Sequence, residues 1–362
     1  MRITSVDTFP VSLPLADPVQ MSHVTIDCSH NVLVRISTDE GVVGWGEGVE
    51  AFDLTGENQG RIKAGIDGLG TRIIGMDALA RTGIWYGLRR AVVGNATAIG
   101  AIDIALHDIA GKAQGVPVFQ LVGGRTRERI PALVLLGSGD PDADLETFRA
   151  RYERGFRWFK LKLGIGSAAA EAQTLERMCD AAPDAVISGD ANAAWSEQES
   201  ARFLDSVAAL GVRFIEQPTR ERAALIRLAE RSRVALCADE SADSLAAVLD
   251  FGGTAVGGVS LKLIKHGGIT GVMRGAALCD QVGLHVNLAG KIAESSISAA
   301  ANLHCAAAMS AIEYGCSPAN HVLAKDVCAR PPEIIDGAYA VPETPGLGID
   351  VDEDLVEEVA SR

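Results

Sequence analysis

Six charged side chains recur through the middle of the chain: Lys160, Lys162, Asp190, Glu216, Asp239 and Lys262. From Lys162 onward the gaps are 28, 26, 23 and 23 residues, and each charge ends a short apolar run. Three carboxylates gathered at one point repel one another strongly. A hard divalent cation relieves that repulsion by accepting their oxygens. One such site per subunit, with open positions, suits Mg2+, with Mn2+ as a substitute. Lys160 and Lys162 lie two apart on one strand and so face the same side, and lysine is rarely buried without purpose. A neighbouring ammonium and a nearby dication both disfavour protonation. Lys162 is therefore expected to titrate low and to act as a base. Lys262 would reach the opposite face of the same substrate. The plainer alternative is that the lysines only neutralise the acids, each of which salt-bridges locally or caps a helix. Metal and amines together suit removal of the proton next to a carboxylate. An amine alone cannot take so weakly acidic a proton, but a Lewis acid on the carboxylate oxygens stabilises the enediolate.

What must position these groups is a repeating unit. After Pro131, short apolar runs alternate with helical patterns of roughly 10 to 15 residues. The strand candidates are 132–136, 158–163, 185–190, 212–216, 234–239, 258–263, 284–288 and 309–313. Strands this apolar read as parallel sheet. Eight in sequence favour a closed (β/α) barrel over an open doubly wound sheet, and a barrel brings its strand ends to one C-terminal mouth. Glu294, just after the seventh run, and Glu313, at the end of the eighth, would join that mouth. Between strands, Ser196 and Glu199 have capping-box spacing, with Gly211 beyond. The first 50 or so residues read as antiparallel strands, and the region from about 58 to 120 reads as helical, best at Thr97 to Gly115. Prolines beyond 326 suggest a tail that packs back on the first unit. The expected division is 1–125, an α+β cap; 126–325, the barrel; and 326–362, the tail.

At 362 residues and 48% apolar, the chain has globular composition and room for more than one unit. A formal charge of −14 argues against nucleic acid, which needs a basic face. No apolar run approaches the roughly 18 residues of a membrane span. Seven cysteines, odd in number and never in a Cys-x-x-Cys pair, read as free thiols in a reducing compartment. Met1-Arg2-Ile3-Thr4 leads straight into an alternating strand, so no signal peptide is expected, and the location expected is cytoplasmic.

Lys160-Leu161-Lys162, Asp190-Ala191-Asn192, Glu216-Gln217-Pro218, Asp239-Glu240-Ser241 and the run 261–269, with 101–112 and 41–47 outside the barrel, carry a resemblance. The sequence resembles the enolase superfamily, specifically its muconate lactonizing enzyme subgroup. The resemblance implies an α/β fold, a (β/α)7β-type modified TIM barrel with an N-terminal α+β capping domain completed by the C-terminal tail. It makes Asp190, Glu216 and Asp239 the metal ligands and Lys162 and Lys262 the acid/base pair, with Lys160 tuning Lys162. Asn192 and Glu240 would orient those ligands. Glu313 would touch substrate or assist protonation, Glu294 would support the mouth, and Lys265 is expected to be structural. Specificity would lie in cap loops at 21–30 and 49–55, which supply His23, Phe52 and Asp53.

The seventh strand, Asn287-Leu288-Ala289-Gly290, offers no histidine placed like the base of mandelate racemase, and the Asp-x-Asp pair of many dipeptide epimerases is absent after Glu313. Two lysines on opposite faces are what a two-base inversion needs, so the first expectation is racemisation or epimerisation of an amino-acid-like carboxylate. The alternatives are muconate-type cycloisomerisation and β-elimination of water, as from a hydroxyproline-type acid. A Schiff-base aldolase using Lys162 and a non-catalytic barrel are rivals of other classes. The partner expected is a small carboxylate, with neither nucleic acid nor membrane, and the chain is expected to form a homo-oligomer.

Overall fold

Alternating burial along the first strands builds a three-stranded antiparallel sheet from β1 (Ile3–Gln20), β2 (Thr25–Thr38) and β3 (Val43–Gly48). The structure, a computed structural model, describes residues 1–20 and 25–360. The helix Ala96–Gln114 packs against this sheet, buried from Thr97 to Gly111. Its approach depends on β3 having glycine at alternate positions. A Cβ on Gly44 would collide with the Ala105 carbonyl, and one on Gly46 with the Ala101 carbonyl. Gly115, in the left-handed region at φ 68°, ends the helix, as its position before Pro117 predicts.

The barrel follows. A short β4 (Arg129–Pro131) precedes β5 (Leu133–Leu136), β6 (Trp158–Lys162), β7 (Val186–Asp190), β8 (Ile215–Glu216), β9 (Leu236–Ala238), β10 (Gly258–Leu261), β11 (His285–Ala289) and β12 (Cys316–Ser317). β5 to β12 form one parallel sheet in chain order, and a parallel bridge between Ala132 and Cys316 joins its two edges. β13 (Ile334–Ile335) and β14 (Ala338–Ala340) add to β4 as a small antiparallel sheet. The tail reaches the first sheet: Ser12 N donates to Val359 O, and Arg35 pairs with Glu353 at 3.0 Å. One apolar core runs through both parts, joining Leu33, Trp45 and Ile104 to Phe159, Leu261 and Leu303. Each such side chain, fully buried, contributes about 1.5–3 kcal/mol. No helix among the described residues is long and apolar enough to cross a membrane.

The last strand departs from expectation. The segment 309–313 is not a strand; the chain there crosses the bottom of the barrel, and β12 begins only at Cys316. Tyr314 explains the shift. Its ring stacks on Phe214, centroids 4.3 Å apart and planes 12° from parallel, and both side chains are buried. Gly257 and Gly258, at the start of β10, leave the space the Tyr314 ring fills. Gly315, at φ 102°, then turns the chain upward into β12. The barrel therefore has an aromatic floor at its N-terminal end.

Candidate active site

On β6 the strand alternation sends Lys160 and Lys162 to one side, both into the barrel mouth. Lys162 Nζ donates to Asp190 Oδ2 at 2.7 Å and to Asn192 Oδ1 at 3.0 Å. Lys160 Nζ donates to the Glu216 carboxylate, which also accepts from Ser260 and, at 3.3 Å, from Asn287 Nδ2. Lys262, just past β10, reaches Asp239 Oδ2 at 2.5 Å. Lys265 donates to Asp239 Oδ1 and to the Asp239 carbonyl, each at 2.7 Å. Asp190, Glu216 and Asp239 stand at the ends of β7, β8 and β9, the third to fifth strands of the ring, and all line one cavity with Lys160, Lys162 and Lys262. Lys162 ends the second strand and Lys262 follows the sixth. Four strands apart in a ring of eight, they face each other across the mouth.

The electrostatics follow from burial and pairing. Burial alone would raise Asp190 and Asp239. The Lys162 and Lys160 ammoniums outweigh it for Asp190, as Lys262 and Lys265 do for Asp239, and both acids stay below the usual carboxylate range. Burial alone would lower Lys160 and Lys262. The Glu216 and Asp190 carboxylates outweigh it for Lys160, as Asp239 and Glu216 do for Lys262, and both amines titrate above the ordinary lysine value. With carboxylates in contact, the amines are thus held protonated, and a neutral base requires that a cation take over those oxygens. Glu240 behaves oppositely. Burial, with Asp239 and Asp190 nearby, pushes it up to about 8.

Do these residues fit a divalent cation? Among the described residues, no three Asp, Glu, His or Cys side chains are drawn tightly enough together to hold one as they stand, because lysine amines take the carboxylate oxygens. The donor set still fits: three hard carboxylates from consecutive strands, with neither thiolate nor imidazole among them. Glu240 Oε2, in the same cavity, is buried with no hydrogen-bond partner, an acceptor left over where positive charge is wanted. Asn192 bridges, donating to Glu240 Oε1 at 3.3 Å while accepting from Lys162. Its φ of +44°, and +35° at Gln217, place backbone strain at the ends of β7 and β8.

The other expected residues separate. Asp53 lines the cavity. Phe52 points to solvent, 63% exposed. His23 lies outside the described residues. Glu294 is buried behind the β11 loop, accepting from Asn302 Nδ2, Ala319 N and Lys291 N. Glu313 is not brought to the site: on the floor crossing, it pairs with His285 Nδ1 at 3.4 Å at the start of β11, the opposite end of the barrel. His107 is a buried packing residue whose Nδ1 lies 2.7 Å from Asp103 O. The N-terminus of the helix Gly268–Val282 is taken up by Asp103, which accepts from Thr270 N at 2.8 Å. Two site residues escape a reading of strand ends. Gln217 Oε1 accepts from Asp239 N at 2.8 Å and from Ser241 N at 3.2 Å, tying β8 to β9. Lys291 lines the cavity from the loop after β11. A lysine between Gly290 and Ile292 is the signal that could have found it.

Two family models match the chain. "Mandelate racemase / muconate lactonizing enzyme, N-terminal domain" covers residues 3–123, and "Enolase C-terminal domain-like" covers 143–355. Chloromuconate cycloisomerase of Pseudomonas putida is 33% identical over 98% of each chain, and muconate cycloisomerase 1 of Acinetobacter baylyi is 31% identical over 98% of each. The structure of muconate lactonizing enzyme from Pseudomonas fluorescens with muconolactone superposes with a TM-score of 0.95 at 29% identity, covering 99% of each chain. That of N-succinyl Arg/Lys racemase from Bacillus cereus gives 0.94 at 27%, over 100% of this chain and 99% of that one. Barrel, cap and matched sequence together show that the chain belongs to the enolase superfamily, in its muconate lactonizing enzyme subgroup.

Proposed function

We propose that this chain is a divalent-metal-dependent cycloisomerase of a muconate-type dicarboxylate. The observation that carries it is the pair of lysines facing each other across three strand-end carboxylates. The curated relatives named for muconate and chloromuconate cycloisomerisation weigh in the same direction, and they reverse the order in which sequence alone ranks the reactions. Asp190, Glu216 and Asp239 would hold Mg2+ or Mn2+, which when bound supplies the positive charge that steadies an enediolate. Lys160 and Lys265 hold Glu216 and Asp239 in place. In the cyclising direction one substrate carboxylate adds to the double bond conjugated with the other. The enediolate left behind takes a proton at its α carbon from the lysine ammonium on that face, giving the isomeric lactone. The reverse reaction starts with the same amine neutral.

The second reading, racemisation of an N-acylated amino acid, draws on the same opposed amines and on the likeness to the racemase. Incubation in deuterated water separates the two. Lactone formed from cis,cis-muconate with one deuterium at the α carbon supports the proposal. Inversion and α-exchange of N-succinyl-lysine with muconate left intact would overturn it.

A further inference from the structure

The lysine–carboxylate pairs of the mouth leave one amine differently placed. Lys291 is largely withdrawn from solvent, its side chain 10% exposed, and its ion-pair partner Asp53 Oδ1 stands 3.5 Å away on a cap side chain that is 53% exposed. Lys160, Lys162 and Lys262 instead meet buried carboxylates at hydrogen-bond distance. A buried cation whose partner is distant and washed by solvent is poorly compensated. Burial, joined by the Lys262 and Lys162 ammoniums, accordingly lowers the pKa of Lys291.

The ring fixes where this amine sits relative to the acids. Asp190 ends β7, the third strand, and Lys291 follows β11, the seventh. They stand half a ring apart. A ligand with one carboxylate at the acidic side therefore points its far end toward Lys291. Leu54, Leu135 and Ile292 line the same cavity with apolar surface, which suits a carbon spacer, and the other lysines of the cavity are already engaged by buried carboxylates.

We propose that Lys291 is a specificity-determining residue that binds the second, distal carboxylate of a dicarboxylic substrate, displacing Asp53 of the cap. The inference rests on the reading of this site as one that holds a carboxylate at the three acids. In it, Asp53 acts as a place-holder: it neutralises Lys291 in the empty site and yields when a stronger partner arrives.

The test uses the Mg2+-loaded protein and two inert probes of equal chain length in titration calorimetry, adipate with two carboxylates and hexanoate with one. Wild type is expected to bind adipate at least tenfold more tightly. Lys291→Met should cut adipate affinity tenfold or more while hexanoate stays within twofold, which also reports that the variant is folded. Lys291→Arg should keep most of the preference, and Asp53→Asn should tighten adipate severalfold. The inference is overturned if wild type does not prefer adipate, or if Lys291→Met weakens both probes equally or neither. Failure of the reaction reading looks different: a Lys291-dependent preference for adipate with no turnover of cis,cis-muconate leaves this inference standing and removes the cycloisomerase.

Discussion

Glu47 offers a sharp test of how cap and barrel are joined. It lies on β3 of the cap, is 2% exposed, and its carboxylate accepts from Ser295 N at 3.0 Å, Ser295 Oγ at 2.8 Å, Ser298 N at 3.2 Å and Asn31 Nδ2 at 2.9 Å. Ser295 and Ser298 open the barrel helix Ser296–Ala308, so a cap side chain neutralises the N-terminus of a barrel helix. Glu47→Ala leaves the Ser295 and Ser298 donors buried without this acceptor and Asn31 Nδ2 with only its bond to Ala293 O. Each costs about 1–3 kcal/mol when unsatisfied, and since losses within one cluster are not additive, a total of about 3–5 kcal/mol is expected. Glu47→Gln should cost less, because it keeps one acceptor while turning an amide N–H toward other donors. Urea unfolding followed by tryptophan fluorescence measures both. Asn31 also donates to Ala293 O at 3.0 Å, and Ala293 sits at φ +63°. The same variants should therefore loosen the loop carrying Lys291 and raise KM. A loss below about 1 kcal/mol for Glu47→Ala, with KM unchanged, would refute the anchoring argument.

Other outcomes follow from the same geometry. Of Lys162→Ala and Lys262→Ala, the variant that removes the amine on the protonated face should slow solvent exchange at the α carbon by at least about a hundredfold, while calorimetric Mg2+ binding persists in both; full turnover in both would end the acid/base assignment. A chelator should abolish activity and added Mg2+ restore it, and activity that survives thorough chelation would remove the metal from the reading. Burial, with Glu47 nearby, pushes Glu294 up to about 8. The folded state therefore binds an extra proton from about pH 4.5, the unfolded value, to about pH 8. Stability from this group is full below the lower limit and falls as pH rises through the window, by a few kcal/mol in order of magnitude. Melting temperatures from pH 5 to 8.5 should show that decline in wild type and a flatter profile in Glu294→Gln; equal slopes would count against it.

The barrel was legible because its grammar is local. An apolar run ending in a charge and repeated at one spacing needs no long-range information, and Lys162, Asp190, Glu216 and Asp239 announced their strands in that way. The eighth strand was not legible, since its apolar residues serve other ends: Ile312 joins the main core and Tyr314 forms the floor. Glu313 was drawn to the wrong end by the same confusion. Charge type at the mouth could be read, but pairing could not. That Lys265 holds both the side chain and the carbonyl of Asp239 depends on where the chain turns after β10, and that Lys291 meets Asp53 depends on how the cap lies over the barrel. Periodicity within the barrel carries no trace of either.

The stacked pair Phe214 and Tyr314 makes the barrel a blind well. Lys160 lies just above it, its amine 5.3 Å from the centre of the Phe214 ring, and among the described residues the way in is the rim, where Asp53 and Leu54 of the cap line the cavity. Whatever binds deepest must arrive first and depart last. A cation seated among the acids would be stoppered by the organic ligand above it, and stripping it from a ligand-filled site would have to wait for that ligand to leave.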